Sequence, residues 1–266
     1  MALPRFAIQS FLLSIIAAIL YRSASTHSAF YDDSKRKHIL LLTAHPDDEC
    51  LFFSPTLLAL RDAAEIFSMC VSTGSSDGLG PIREEELHKS LDVLGVEPSH
   101  RSILDHPDLR DNITIYWDSE LLSNVVKPFV VNNDIDIILT FDDQGISGHP
   151  NHKSLPNAMR HMLHTFTDSE GPPRIFSLVT VPLPIKYVGI LSPILAKIYI
   201  FGAEGLGVGV VNGVSLPQVT FVAGIDEYVT ALRAMRQHWS QLVWFRWLNV
   251  MFSRYIWVNE WVEVLP

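Results

Sequence analysis

Short apolar runs and longer stretches of helical spacing take turns along most of this chain. Ile39–Leu42 is a continuous apolar run that ends abruptly in His45, Pro46, Asp47, Asp48 and Glu49. Ile66–Ser72, Arg101–Leu104, Asp136–Phe141 and Arg174–Val181 are runs of the same kind. Runs this short, bounded by polar and Pro or Gly signals, predict strands buried on both faces, as in a parallel sheet. Between them, apolar spacing predicts helices over Leu51–Ala64, Pro81–Leu94, Asp118–Val131 and Asn151–His164. Pro81 opens one of these at a favoured position, and Gly95 is placed to end it. Strands alternating with helices predict an α/β fold, a Rossmann-like, mostly parallel sheet with helices on both faces.

The pattern changes at both ends. Phe6–Tyr21 is apolar, broken only by Gln9, Ser10 and Ser14. It reads either as a signal peptide, with Arg5 before it and small residues such as Ser23-Ala24-Ser25 after it, or as a membrane anchor slightly shorter than the usual span. If the segment stays, Arg22, Lys35, Arg36 and Lys37 behind it orient the rest of the chain to the cytosol. We expect an N-terminal transmembrane helix, which divides the chain into residues 1–37, anchor and linker, and residues 38–266, one catalytic domain with an aromatic-rich end. Beyond Pro182 the strand–helix rhythm loosens. Pro184–Phe201 is apolar and carries Lys186 and Lys197, which suits a buried segment or a membrane-surface element. Between His238 and Val264, Trp239, Trp244, Trp247, Trp257 and Trp261 interleave with Arg246 and Arg254, which suits core packing or an interfacial belt.

Composition narrows the classes. A formal charge of −9 over 266 residues excludes a basic nucleic-acid face. The only cysteines, Cys50 and Cys70, make no disulfide framework and suit a reducing compartment. The loop Gly74–Gly80 lacks the spacing of a dinucleotide site.

The chemistry sits where two strands end, because ligands in open α/β sheets bind beyond the carboxyl ends of strands. After the first strand come His45, Asp47, Asp48 and Glu49; after the strand ending at Phe141 come Asp142, Asp143, His149 and His152. An Asp pair alone suits a helix cap, but two strand ends that each combine His with Asp suit Zn²⁺. A catalytic zinc keeps three protein ligands and an open position. His45, Asp48 and one of His149 and His152 would supply the set; spacing does not separate the two histidines. Glu84, Glu85 and Glu86 read as a solvated first turn complementing the helix dipole. Asp105–Asn112 reads as a polar loop that can line the cleft.

Ala44-His45-Pro46-Asp47-Asp48-Glu49 and Gly148-His149-Pro150-Asn151-His152 together resemble the signature of the LmbE-like metal-dependent GlcNAc deacetylases. Gly145–His152, with Ser240–Arg246 and Phe252–Tyr255, is most similar to the eukaryotic N-acetylglucosaminyl-phosphatidylinositol de-N-acetylase branch. The likeness covers about Ile39 to Tyr255. It implies a metal-dependent amidohydrolase that removes acetate from N-acetylglucosaminyl-phosphatidylinositol in GPI-anchor biosynthesis. It implies His45, Asp48 and His152 as ligands of a divalent metal, Zn²⁺ foremost, Asp47 as general base, and His149 as oxyanion stabiliser or proton donor. It also implies that Arg83 meets substrate, and we expect Asp142 and Asp143 to do the same. Location at the endoplasmic reticulum membrane, single-pass with a cytosolic domain, follows from the same likeness. The alternatives are a secreted deacetylase of a soluble amino sugar, and a sugar-binding protein without activity.

Overall fold

The computed structural model describes residues 5–26, 30, 35–75, 78–167, 171–206, 210–211, 214–215 and 219–264. An apolar helix, α1 (Arg5–Tyr21), leads into the short strand β1 (Ala24–Thr26). Next comes β2 (His38–Thr43), buried from Ile39 onward as a central strand built on the apolar run Ile39–Leu42 should be. Two helices, α2 (Asp48–Phe52) and α3 (Ser54–Leu60), stand where the spacing predicts one. Phe53 separates them, and Pro55 falls in the first turn of α3, where its missing N–H costs nothing. Then follow β3 (Glu65–Cys70), α4 (Gly80–Leu94), β4 (Arg101–Ile103), α5 (Ser119–Asn132), β5 (Ile137–Phe141), the short turn α6 (Gly145–Gly148), α7 (Pro150–Leu163) and β6 (Arg174–Leu178). Gly95 ends α4 with φ 83°, and the Asp118 side chain caps α5 by accepting from Leu121 N.

The remainder holds α8 (Leu183–Lys186), α9 (Leu191–Leu206), the paired strands β7 (Val210–Val211) and β8 (Val214–Ser215), β9 (Val219–Val222), α10 (Ile225–Met235), α11 (Trp244–Phe252) and β10 (Val258–Val264). The main sheet runs β4-β3-β2-β5-β6-β10-β9-β1. Its first half, from β4 to β6, is parallel throughout. The sheet is therefore mostly parallel, as the alternation predicts, but β10 lies antiparallel to both β6 and β9, and β1 antiparallel to β9. The helices cover both sides: α5 packs on α7, and α10 packs on α2, α3 and α4.

The tryptophans divide between the two roles. Trp261 and Trp257 are buried; Trp261 Nε1 donates to Thr56 Oγ1 at 2.8 Å and ties β10 to α3. Trp239, Trp244 and Trp247 are exposed. Helix α9 is likewise two-sided, with Ala196 and Ile200 buried while Leu191, Leu195, Ile198 and Phe201 face outward. The expected transmembrane helix corresponds to α1, which is 17 residues long. Among the described residues no helix is long and apolar enough to cross a membrane. Lys197 of α9 donates to Ile19 O at 2.6 Å and also to Arg22 O, satisfying carbonyls left open at the end of α1.

Candidate metal centre and cleft

The carboxyl ends of β2 and β5 bring the two polar clusters face to face. Asp48, in the first turn of α2, accepts at Oδ2 from the backbone N–H groups of Ala44 (3.0 Å) and His45 (2.9 Å). Its Oδ1 lies 3.3 Å from His152 Nε2. His152, in the first turn of α7, stacks on Phe141 with ring centroids 4.0 Å apart, and its Nδ1 lies 3.1 Å from Gly145 O. Gly145 has φ +60°, and a Cβ there would fall 2.8 Å from the His152 Cβ, so the close approach requires glycine.

The hydrogen bonds fix the tautomers. His45 Nε2 faces only acceptors, Asn151 Oδ1 at 3.1 Å and Asp111 Oδ1 at 3.2 Å, so it carries the hydrogen. Asn151 Nδ2 donates to Ile115 O, which sets the orientation of that amide. His45 Nδ1 and His152 Nε2, whose Nδ1–H is committed to Gly145 O, are then the nitrogens that face one another and Asp48, and each becomes a metal ligand once its proton is displaced. These two nitrogens stand 3.2 Å apart, and the Asp48 carboxylate lies beside both, its Oδ1 3.3 Å from His152 Nε2 and its Oδ2 3.9 Å from His45 Nδ1. Tetrahedral ligands on Zn²⁺ at its usual bond lengths are separated by about 3.4 Å. Each histidine donates its other ring N–H to an oxygen, the arrangement that orients metal-bound imidazoles. The donor set fits a divalent cation.

The charges agree. Burial alone would raise the Asp48 carboxyl, but His152 and then His45 hold it well below the usual carboxylate range. Burial alone would lower His45, and the acids around it, Asp111 and Asp48, raise it instead. His149 also brings a ring nitrogen within 4.8 Å of His45 and His152. It caps α7, its Nδ1 accepting from Asn151 N at 3.2 Å, and its Nε2 is 3.8 Å from Asp111 Oδ1. Burial, then the neighbouring His45 and His152, push it down to about 4. It is therefore neutral at pH 7, with a hydrogen on Nε2.

Asp47 precedes α2 with φ 115° and ψ −18°, a left-handed conformation rare outside glycine. Holding it costs on the order of 1–3 kcal/mol, which the surroundings must supply. Its Oδ2 accepts from Arg246 Nη2 at 2.9 Å and lies 4.0 Å from Arg83 Nη2. Burial raises the Asp47 carboxyl, Arg246 opposes this, Asp48 adds to it and Arg83 opposes again; the net shift is upward.

Arg83 is buried and donates to Gly74 O (2.9 Å) and Pro46 O (2.7 Å), which braces the metal-side loop. Asp142 and Asp143, expected to meet substrate, both have partners within the chain. Both Asp142 oxygens are taken by Thr180 and by the N–H groups of Gln144 and Gly145, which closes the turn after β5. Asp143 pairs with Arg160 at the surface, and both acids border a separate depression with Ser177 and Val179. Glu86 is not the solvated residue expected: it is buried and accepts from Ser240 N and Oγ at 2.7 and 2.6 Å. The sequence placed Asp111 only in a loop, Asn151 and Arg246 only within motifs without a role at the site, and His238 nowhere near it.

Next to the cluster opens a cavity of about 740 Å³, lined by Phe52, Ile146, Leu183, Phe245, Arg246 and Phe252 among others. Phe52 and Arg246 belong to both, one beside the His152 ring and the other on Asp47. From its rim the exposed face of α11 (Trp244, Trp247, Leu248, Met251) continues the apolar surface.

The family model described as "PIG-L: GlcNAc-PI de-N-acetylase" matches residues 40–163, which hold both clusters. The N-acetylglucosaminyl-phosphatidylinositol de-N-acetylase of Bos taurus is 37% identical over 226 residues, 83% of this chain and 81% of that protein. A probable enzyme of the same name from Dictyostelium discoideum is 30% identical over 254 residues, covering 86% and 94%. Among solved structures, N,N'-diacetylchitobiose deacetylase from Pyrococcus horikoshii superposes with a TM-score of 0.59 at 16% identity, over 99% of this chain and 94% of that one. It has the same fold.

Proposed function

This chain belongs to the GlcNAc-PI de-N-acetylase family, and from that premise we propose that it deacetylates N-acetylglucosaminyl-phosphatidylinositol in GPI-anchor biosynthesis. The products are glucosaminyl-phosphatidylinositol and acetate. The observation that carries the reading is the convergence of His45 Nδ1, His152 Nε2 and Asp48 beside Asp47. His45, Asp48 and His152 would hold a divalent metal, and we assign Zn²⁺. That ion supplies Lewis acidity at the amide carbonyl and a water whose pKa falls to about 7.

The chain's own residues do the rest. Asp47 takes the proton from the attacking water and returns it to the leaving amine nitrogen as the C–N bond breaks; Arg246, hydrogen-bonded to Oδ2, opposes the upward pull of burial on that carboxyl. His149 is neutral and presents Nε2–H, because Nδ1 is engaged with Asn151 N, so it donates to the oxyanion that forms on the acetyl carbonyl. Asp111 orients His45 through Nε2. The apolar cavity has the volume of a small-ligand site. Its lining suits the lipid side of the substrate, and Arg246 and Lys186 in its wall offer positive charge to the phosphodiester.

The same reading sets the protein at the endoplasmic reticulum membrane with its catalytic domain in the cytosol. It is supported by the apolar α1, by Arg22, Lys35, Arg36 and Lys37 after it, and by the outward apolar faces of α9 and α11. The decisive assay compares acetate release from the phosphatidylinositol-linked sugar with release from free N-acetylglucosamine, before and after chelation and re-addition of zinc. We expect release from the glycolipid alone, lost on chelation and restored by zinc. Equal turnover of the free sugar would favour a soluble amino-sugar deacetylase. Glycolipid binding without release in any metal would favour a binding protein.

A further inference from the structure

Glu49 is fully buried, and its two carboxylate oxygens are divided between two groups of partners. Oε1 accepts from Ser90 Oγ at 2.5 Å and from His238 Nε2 at 2.6 Å. Oε2 accepts from the backbone N–H of Asp47 at 3.1 Å. That N–H belongs to the residue with φ 115°, a conformation an L-residue keeps only where its surroundings over-determine it. The Asp47 carbonyl is held from the other side by Leu51 N at 3.1 Å and Cys50 Sγ at 3.1 Å. With both backbone groups tied, the Asp47 side chain leaves the start of α2 toward Arg246 rather than along the helix.

His238 arrives at the end of α10, nearly two hundred positions later in the chain. Its Nδ1 finds no partner among the described residues, so Glu49 is the polar contact its ring makes there. Two residues on, Ser240 is clamped to Glu86, which fixes the segment that carries the ring. Glu49, Cys50 and His238 have the residue types of a second cation site. Their geometry argues against it. The 2.6 Å between His238 Nε2 and Glu49 Oε1 is a hydrogen-bond length, well inside the separation of about 3.4 Å for two ligands on one zinc. The Cys50 thiol, pushed well up by burial, donates to Asp47 O.

Resting on the assignment of Asp47 as the base, we propose that Glu49 and His238 are positioning residues: with Ser90, the His238–Glu49 pair locks Asp47 in the left-handed backbone conformation that aims its carboxylate at the reacting amide. They touch neither substrate nor metal and act through Asp47.

A mutant cycle on the metal-loaded full chain tests this. His238→Ala and His238→Gln are made in the wild-type and in the Asp47→Asn backgrounds, with kcat, KM, bound metal and thermal melting measured for each. In the wild-type background His238→Ala lowers kcat about 10²-fold, the scale of a misaimed catalytic group, while KM and bound metal hold. His238→Gln keeps a donor for Glu49 Oε1 and recovers most of the rate. In the Asp47→Asn background His238→Ala costs nothing more, because residues that act as one unit are not additive. If His238→Ala melts too low to assay, Ser90→Ala, which removes the other donor to the same oxygen, carries the cycle with a smaller loss. An equal fold loss in both backgrounds, an unchanged kcat in His238→Ala, or loss of metal would overturn the inference and leave the base assignment standing. A near-normal kcat in Asp47→Asn alone would overturn both.

Discussion

Arg246 Nη2 donates to Asp47 Oδ2 at 2.9 Å, joining residues 199 positions apart. The bond opposes burial, which otherwise raises the Asp47 carboxyl. Removing the guanidinium in Arg246→Ala therefore moves that carboxyl further up. The acidic limb of the kcat/KM profile moves to higher pH with it. Below the limb, the rate at a fixed pH falls about tenfold for every pH unit the limb has travelled. Rate recovers as pH rises past the new limb. A pH–rate profile checks this, and a limb that stays in place contradicts it.

Asp47 and Asp48 are neighbours with different surroundings, and their amide variants should part accordingly. Asp47→Asn keeps its metal and loses kcat by about 10²–10⁴-fold, the usual worth of a general base. Asp48→Asn, like His45→Ala and His152→Ala, loses metal as well. Metal analysis and kcat on the same folded samples separate the two outcomes. If Asp47→Asn keeps a normal rate at saturating metal, His149 is the first candidate to replace it.

Asp111 holds the hydrogen on His45 Nε2 at 3.2 Å and sits 3.7 Å from Arg83 Nη1. Asp111→Asn weakens both contacts without touching the donor set. We expect metal affinity or activity to fall about 10–100-fold, as for other residues that orient a metal-binding imidazole. Titration with zinc measures the change; unaltered affinity and rate would remove Asp111 from the site.

The buried Glu49–His238 pair sets a pH window for stability. Burial would raise Glu49, but His238 pulls it down; burial would lower His238, but Glu49 raises it. A lowered carboxyl stabilises above its unfolded value of 4.5, and that contribution is lost as pH falls through the folded value. A raised imidazole stabilises fully below its unfolded value of 6.5, and that contribution is lost as pH rises through the folded value. The stability difference between the wild-type chain and Glu49→Gln/His238→Gln should therefore be greatest between these two unfolded values and shrink on either side. Denaturant melts across pH test it, and a flat difference refutes it.

Asn112-Ile113-Thr114 is a glycosylation acceptor sequence. Under the proposed cytosolic placement of the catalytic domain, we expect no glycan there and α1 still attached. Intact mass before and after glycosidase checks both. A sensitive shift, abolished by Asn112→Gln, would favour the cleaved, secreted form.

The parallel half of the sheet and the two histidine–aspartate clusters are legible in the residues alone. Continuous apolar runs such as Ile39–Leu42 and Ile137–Leu139 are characteristic of a parallel sheet covered on both faces, and ligands bind such sheets beyond the carboxyl ends of the strands. Local spacing could not say whether His149 or His152 would face Asp48. That depended on the turn at Gly145, whose carbonyl takes the His152 Nδ1 hydrogen. Nor could it distinguish Asp142, whose oxygens close a turn on Thr180, from an acid open to substrate. Asp111, His238 and Arg246 reach the site from a loop and from the antiparallel, C-terminal return of the chain. Periodicity reports only neighbours within a turn or a strand; contacts across 66 to 199 positions exist only once packing has closed the chain on itself.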